Sequence, residues 1–401
     1  MKTISQISEA RIKSSMRARF NPIKTLTPDS LSQMLDAFAA GYLRSAAMTW
    51  DSIERRDDVI QGVAAKRKKS VARLQWEIIA LDQSEEALNH KCALEYFYNN
   101  LSATHACDGN ERGGFGLLVK QMMDAIGKKY AVHEIIYIPL ANGDKLKLTA
   151  VFRFVPLWFF ENKTGSLRFL ESDTATDGVP LDDGAWLVTV GDGLMEASSI
   201  AYLFKHLPLR DWLVYCERNG MPGVKGVTDA SPGSPQWEAA RDAVEDFGAE
   251  FNALMSEGTN IEAIDLTSRG ELPYPALVDR MDRAISALWR GSDLSTLSRA
   301  SGTGASLQAD ETALIEEDDA TMISETLNEQ VDKFVIRHLF GDANPKAYIR
   351  LVTKPRANTR DEIVIYRELF DMGVPLAIED IREKFGLTTP ENSENILIKN
   401  V

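Results

Sequence analysis

The sequence is poor in the residues that build disulfide frameworks and zinc sites. Its 401 residues include only three cysteines, Cys92, Cys107 and Cys216, and five scattered histidines. The cysteine count is odd and no CxxC spacing occurs, so neither a disulfide scaffold nor a zinc centre is indicated. A reducing compartment fits this cysteine usage best.

Long apolar runs and an excess of basic residues are also missing. The longest apolar segment, Val151 to Phe160, is about half the length of a membrane-spanning helix, and the basic N-terminus lacks the apolar core of a secretory signal. We therefore expect no membrane contact. The formal net charge is −14, from 45 Lys and Arg against 59 Asp and Glu. That balance disfavours a protein that wraps nucleic acid with its whole surface.

Motifs for cofactors and metals are absent as well. The turn ERGGFG at 111–116 lacks the Lys-Ser/Thr pair of a P-loop and the third glycine of a dinucleotide fingerprint. Asp177, Asp182 and Asp183 do not have the spacing of a calcium loop. The sequence therefore predicts no cofactor and no metal.

The patterns that are present predict a mixed α and β protein. Helical spacing dominates residues 27–74 and 84–101, whereas short strands separated by turn signals fill residues 132–190 and predict a small antiparallel sheet. A basic cluster, Lys66 to Lys69 with Arg73, is interpreted as a solvated helix face rather than a phosphate contact.

Two amphipathic helices are predicted near the middle of the chain. The first covers residues 198–219, with Pro208 as a kink, and the second follows Pro273 with Leu277, Met281, Ala284 and Leu288 on its apolar face. The second also carries charges at helical spacing: Arg280, Arg283 and Arg290 beside Asp279 and Asp282. A solvated face and a subunit interface are equally compatible with this pattern.

An acidic helix follows a segment of small residues at 292–306. Residues 310–332 contain nine acids and no base, among them the contiguous block Glu316, Glu317, Asp318 and Asp319. We interpret the block as a solvated or repelling surface, and expect the helix to kink where it interrupts the apolar stripe. The alternative is a metal-dependent nuclease or hydrolase that uses residues 316–319.

Three long blocks resemble the portal (head-tail connector) proteins of Mu-like tailed phages. They are WDSIERRDDVIQGVAAKRKKSVARLQWEI, FKHLPLRDWLVYCERNGMPGVKG and the stretch from ELPYPALVDRMDRAISALWRG through SDLSTLSRASGTGAS to ISETLNEQV. The blocks occur in the family's order, and the resemblance spans about residues 28–385. Family members usually continue beyond the point where this sequence stops, which implies that the C-terminal crown region is either truncated or reduced.

The resemblance implies a non-enzymatic protein with the α+β portal fold. Its partners would be further copies of itself in a ring of twelve subunits, the terminase large subunit, neck or adaptor proteins, the major capsid protein or scaffold, and double-stranded DNA passing through the channel. It would reside at the portal vertex of the virion, and in the host cytoplasm during assembly.

Position along the chain implies the domain assignment. The expected parts are a basic N-terminal arm (1–27), a wing (28–197), a first stem helix (198–219), a clip (220–268), a second stem helix (269–291), a tunnel loop (292–306), a kinked wing helix (307–340) and a C-terminal wing or crown region (341–401). The tunnel-loop residues expected to line the DNA channel are Arg299, Ser301, Gly302, Thr303, Gly304 and Ser306. Lys225, Trp237 and Arg241 are the expected clip residues.

Overall fold

The computed structural model divides the chain into two compact units. The first covers residues 1–351 and the second covers residues 352–401. The residues that it describes are 22–142, 145–172, 174–220, 225–247, 253–256, 273–291, 302–342, 344–353, 359–375 and 381–382.

Three helices open the first unit, in agreement with the sequence pattern. Thr27 and Ser30 form a capping box at the start of the first helix, in which each side chain accepts a hydrogen bond from the other residue's backbone N–H. Phe38 and Trp50 pack edge to face between the first two helices. The helices are α1 (Pro28–Ala39), α2 (Arg44–Glu54) and α3 (Asp58–Ala72).

The predicted change from helix to strand occurs after residue 74. Strand β1 (Gln75–Ala80) forms a two-stranded sheet with β12 (Ala347–Val352). Helix α4 (Glu85–Asn100) begins at Ser84, whose hydroxyl accepts a hydrogen bond from the Ala87 N–H at 3.2 Å. The capping residue thus sets the start of this helix.

The predicted antiparallel sheet is confirmed, with one parallel pair added. Its strand order is β3 (Arg112–Gly113), β2 (Ser102–His105), β5 (Lys145–Val155), β4 (Tyr130–Asn142) and β9 (Trp186–Val190). Strands β4 and β5 form a long hairpin, and β2 runs parallel to β5. A strand as short as β2 carries too little periodicity to be predicted.

Two short helices and a second small sheet flank this sheet. The helical segment at 115–128 consists of two helices, α5 (Phe115–Met122) and α6 (Asp124–Lys128), which are separated by a turn at Met123. The second sheet has three antiparallel strands, β6 (Phe160–Glu161), β7 (Arg168–Phe169) and β8 (Val179–Pro180).

A pair of antiparallel helices carries a small α/β unit. Helix α7 (Met195–Gly220) passes through Pro208 as one helix and packs against α9 (Pro273–Arg290). Between them lie β10 (Lys225–Thr228), α8 (Pro235–Phe247) and β11 (Ala253–Ser256). The two strands pair in parallel, which requires a crossover connection such as α8. The strand predicted at 260–266 lies outside the described residues.

The long helix after residue 301 corrects two predictions. Helix α10 (Gly302–Leu327) begins inside the predicted tunnel loop, so residues 302–306 form its first turn. The helix also continues through residues 316–319, where a kink was predicted, because Asp319 faces inward and is held by an ion pair. The distortion lies further on, in the π-helical segment Asn328–Asp332, before α11 (Lys333–Phe340).

One hydrophobic core connects these elements from α1 to β12. Its largest fully buried side chains include Trp50 and Trp289. None of the helices in the described part of the chain combines the length and apolar content needed to cross a bilayer. The second unit contains α12 (Thr359–Asp371), which matches a predicted helix, whereas the helix predicted at 376–385 lies largely outside the described residues.

Candidate functional site

A buried lysine on α7 joins the α7–α9 pair to the start of α3. The Nζ atom of Lys205 lies 2.7 Å from Asp282 on α9, 2.9 Å from Asp58 and 3.1 Å from Asp57. Asp57 is fully buried and also caps α3 by accepting the Ile60 N–H at 2.8 Å. One ammonium group therefore fixes three helices to each other.

The charges of this lysine cluster stabilise each other's ionised forms. Burial alone would lower the pKa of Lys205, but the three carboxylates raise it above its usual value. Burial alone would raise the pKa of Asp57, but hydrogen bonds from His206 and Ile60, together with Lys205, lower it. Lys205, Asp57 and Asp58 are thus shifted toward their charged forms, whereas burial raises the pKa of Asp282 despite its contact with Lys205.

A second ion pair ties α3 to α10 and to the end of α9. Arg67 binds Asp319 with two hydrogen bonds, from Nε at 2.7 Å and from Nη2 at 2.9 Å, and donates a third to the Trp289 carbonyl at 3.2 Å. Only 10% of the Arg67 side chain and 3% of the Asp319 side chain are exposed. Arg67 thus holds both helices that flank residues 292–301.

The interpretation of the basic cluster as a solvated face is therefore wrong for two of its members. Lys68 is also buried, and its Nζ lies 2.5 Å from Glu54 and 2.8 Å from Asp124. Lys128 contacts the same Asp124 at 3.0 Å. Burial alone would raise the pKa of Asp124, but Lys128 and Lys68 hold it below its usual range.

The acidic helix is only partly the solvated surface that the sequence predicts. Glu317 and Asp318 are exposed and Glu316 is half-buried, but Asp319 is buried against Arg67. Asp332 is also fully buried, where it accepts hydrogen bonds from the Tyr98 hydroxyl at 2.6 Å and the Ile349 N–H at 2.9 Å. Partners far away in sequence decide which of these acids face solvent.

Three charged residues of α9, Asp279, Asp282 and Arg283, have partners within the same chain. Arg283 binds Asp279 at 2.9 Å one helical turn away, and Asp282 binds Lys205. Arg280 is exposed, and Arg290 lines a cavity of about 180 Å³ beside Arg67. Asp282 therefore has its ion-pair partner, Lys205, in the same chain and does not require one from a neighbouring subunit.

The predicted apolar face of α9 is largely exposed in the structure. Leu277 and Leu288 are 36% and 37% exposed and Ala284 is exposed. The buried positions are instead Ile285, Ser286 and Trp289. Trp289 donates its indole N–H to the Ser198 hydroxyl of α7 at 2.9 Å. The largest aromatic side chain of the helix was thus the better signal for the buried side.

The remaining predicted site residues lie on several separate elements. Lys225 is in β10, Trp237 is half-buried on α8, and Arg241 contacts Glu238 at 2.7 Å. Ser301 and Arg299 lie outside the described residues. The other tunnel-loop residues, Gly302, Thr303, Gly304 and Ser306, are in the first turns of α10.

Among the described residues, one group of three side chains has a spacing suited to a metal ion: Glu86, His90 and Asp342. Its hydrogen bonding does not fit a metal ligand, however. The Lys346 backbone N–H donates to Nδ1 of His90 at 3.1 Å, so the proton of the neutral imidazole is on Nε2. That nitrogen is buried, lies 3.5 Å from Asp342 and has no hydrogen-bond partner among the described residues. The block at 316–319 does not form such a group.

Comparison with known proteins assigns the chain to a family. The chain belongs to the family of the portal protein of Mu bacteriophage, whose model matches residues 47–387. This confirms the resemblance seen in the sequence. No match was found among curated proteins.

Solved structures share the fold at low sequence identity. A chain of the virion of a native gene transfer agent particle has a TM-score of 0.51 at 10% identity and covers 90% of this chain and 100% of its own length. A chain from the neck of an empty gene transfer agent particle has a TM-score of 0.50 at 11% identity, with coverages of 95% and 99%. An HK97-family phage portal protein from Corynebacterium diphtheriae has a TM-score of 0.42 at 13% identity, with coverages of 74% and 95%.

The portal prediction is therefore confirmed at the level of family and fold. None of these matches supports the alternative of a metal-dependent nuclease. The structure also removes Asp319 from the proposed metal ligands, because both of its oxygens bind Arg67.

Proposed function

We propose that this chain forms a ring at one capsid vertex, through which double-stranded DNA is packaged and later ejected. The ring is a homo-oligomer, with twelve as the expected subunit number. It docks the terminase large subunit during packaging and neck or adaptor proteins afterwards, and it contacts the major capsid protein or scaffold. Assembly begins in the host cytoplasm.

The α7–α9 pair is the observation that carries this proposal. The pair bears the β10–α8–β11 unit and leaves apolar side chains exposed, among them Phe204 at 49% and Leu288 at 37%. A helix with apolar residues on all sides is normally buried. Further copies of the chain would bury these residues, which makes α7 and α9 the stem helices and the α/β unit the clip.

The charge of the chain suits a channel that DNA passes rather than binds. Most non-specific affinity for DNA comes from counterions that are released when basic side chains neutralise phosphates. Because the net charge of this chain is −14, it gains little affinity in this way. Glu317 and Asp318 are exposed acids of α10. Among the tunnel-loop residues, Arg299 is the proposed transient contact with phosphate.

Labelling of particles tests the proposal directly. A tagged full-length chain, produced together with the other proteins of its particle, should be detected by gold-conjugated antibody at one vertex of each head. Heads made without it should lack packaged DNA. Label on every vertex, or full heads in its absence, would contradict the proposal.

A further inference from the structure

The α7–α9 pair has two apolar stripes whose residues the described part of the chain leaves exposed or half-buried. On α7, Ile200, Phe204, Leu207 and Val214 share one line of the helix with Asp211, since a turn takes 3.6 residues. Ile200, Phe204 and Val214 are 40%, 49% and 42% exposed. On α9, the second stripe consists of Leu277, Met281, Ala284 and Leu288.

The two stripes lie on opposite sides of the helix pair. Ser198 and Lys205 contact α9, and they fall on the side of α7 that faces away from its stripe. Their partners Trp289 and Asp282 fall likewise on the side of α9 remote from Leu277 and Leu288. One molecule therefore has two different apolar surfaces on opposite sides, one formed by the α7 stripe and the other by the α9 stripe.

The stripes also occupy the same length of the pair. The contacts Ser198–Trp289 and Lys205–Asp282 are equally spaced on both helices, which fixes their antiparallel register. In this register Phe204 is level with Ala284. In a closed ring whose axis is parallel to the helices, the rotation that relates neighbouring copies does not change the position of any residue along the axis. The α7 stripe of one copy and the α9 stripe of the next would therefore lie at the same position along the axis.

We propose that the α9 stripe of one copy packs against the α7 stripe of the next copy. This inference rests on the proposed function, because it specifies how the ring closes. The contact is heterologous, and repeating it gives a ring. Phe204 packs over the small Ala284, and the exposed Arg280 approaches Asp211 of the neighbour, which supplies charge complementarity beside the apolar contact.

Cysteine cross-linking tests the pairing in the full-length chain. Cys92 and Cys216 are exposed and free, so both are first changed to serine. Oxidation of the double variant Phe204→Cys with Ala284→Cys should give a ladder of disulfide-linked oligomers. Neither single variant should form dimers, because each stripe meets the other stripe and not itself.

Glutamate substitutions give an independent readout. Phe204→Glu and Leu288→Glu should each lower the assembled fraction at least tenfold. Leu213→Glu and Ala276→Glu, which replace exposed residues off the stripes, should leave it unchanged. Circular dichroism verifies that every variant is folded.

The outcomes separate this inference from the proposed function. If the wild-type chain forms a ring but the double variant gives no ladder, or either single variant forms dimers, the stripe pairing is wrong and the ring stands. If a segment of the same chain covers the stripes, Phe204→Glu leaves assembly intact, which also overturns the pairing. A wild-type chain that never assembles would contradict the proposed function itself.

Discussion

At the scale of single residues, buried charges organise the molecule. Lys205, Arg67 and Lys68 each bind carboxylates from other elements, and each link joins helices distant in sequence. Removing one member of such a pair leaves the other charge buried without compensation, which costs more than the pair itself contributes. These residues should therefore be sensitive to substitution although none of them touches DNA in our account.

The Arg67–Asp319 pair gives the first prediction. Asp319→Ala should lower the free energy of unfolding by about 3–5 kcal/mol, because Arg67 would remain buried and charged. The matched control is Asp318→Ala, its exposed neighbour, which should change stability by less than about 0.5 kcal/mol. Urea denaturation measures both. Equal effects of the two substitutions would contradict the assignment.

Asp332 predicts how stability depends on pH. Burial raises the pKa of Asp332 to about 7, despite hydrogen bonds from Tyr98 and Ile349, whereas an unfolded aspartate titrates near about 4. The folded chain thus holds a proton that the unfolded chain releases. Protonation of Asp332 therefore stabilises the folded chain. This contribution to the free energy of unfolding is fully present below about pH 4, declines as the pH rises and is lost above about pH 7.

Comparison with Asp332→Asn isolates this effect from other titrating groups. The stability of the wild-type chain relative to the variant should rise by about 1 kcal/mol for each pH unit between pH 7 and pH 5. Chemical denaturation at several pH values provides the measurement. If the free energies of unfolding of the wild type and of Asp332→Asn change in parallel with pH, Asp332 does not cause the pH dependence.

At the scale of elements, the π-helical segment Asn328–Asp332 connects α10 to the sheet. Gln330 accepts the Val188 N–H at 2.9 Å and donates to the Val188 carbonyl at 2.8 Å. Asp332 holds Tyr98 and β12 in the same segment. The extra residue of a π segment changes which side chains face the core, and here it directs two polar side chains inward.

Gln330 therefore gives a prediction for this element. Gln330→Ala should lower the free energy of unfolding by about 1–3 kcal/mol, because it leaves the N–H and the carbonyl of Val188 in β9 without their partner. The control is Glu329→Ala, an exposed residue that pairs with Lys333 and should contribute no more than about 1 kcal/mol. Thermal unfolding of the two variants distinguishes them. A Gln330→Ala variant as stable as its control would refute the proposed link.

The sequence predicted elements well where local chemistry determines them. Helix α4 begins after Ser84, where the helical spacing of residues 84–101 predicts it, and turn signals separate the strands of the sheet. The partners of Arg67 and Lys205 could not be predicted, because a basic residue at helical spacing has the same pattern whether it faces solvent or an aspartate. The sequence placed Leu277 and Leu288 on one face of α9 but could not show whether that face is buried, because an apolar stripe against the core and one that binds a partner have the same pattern.

At the scale of the whole molecule, composition and fold support the proposed ring. The family match covers residues 47–387, and the α7–α9 pair leaves apolar side chains exposed that a monomer would leave in water. In the proposed ring, further copies would bury these side chains. The acidic net charge would disfavour binding of DNA to the ring.

Native mass tests this central claim most directly. Light scattering on a sizing column, followed by imaging of the largest peak, should find a species of about twelve times the 44.6 kDa of one chain, visible as a ring with a central hole. A single species at 44.6 kDa at every protein concentration would contradict the account.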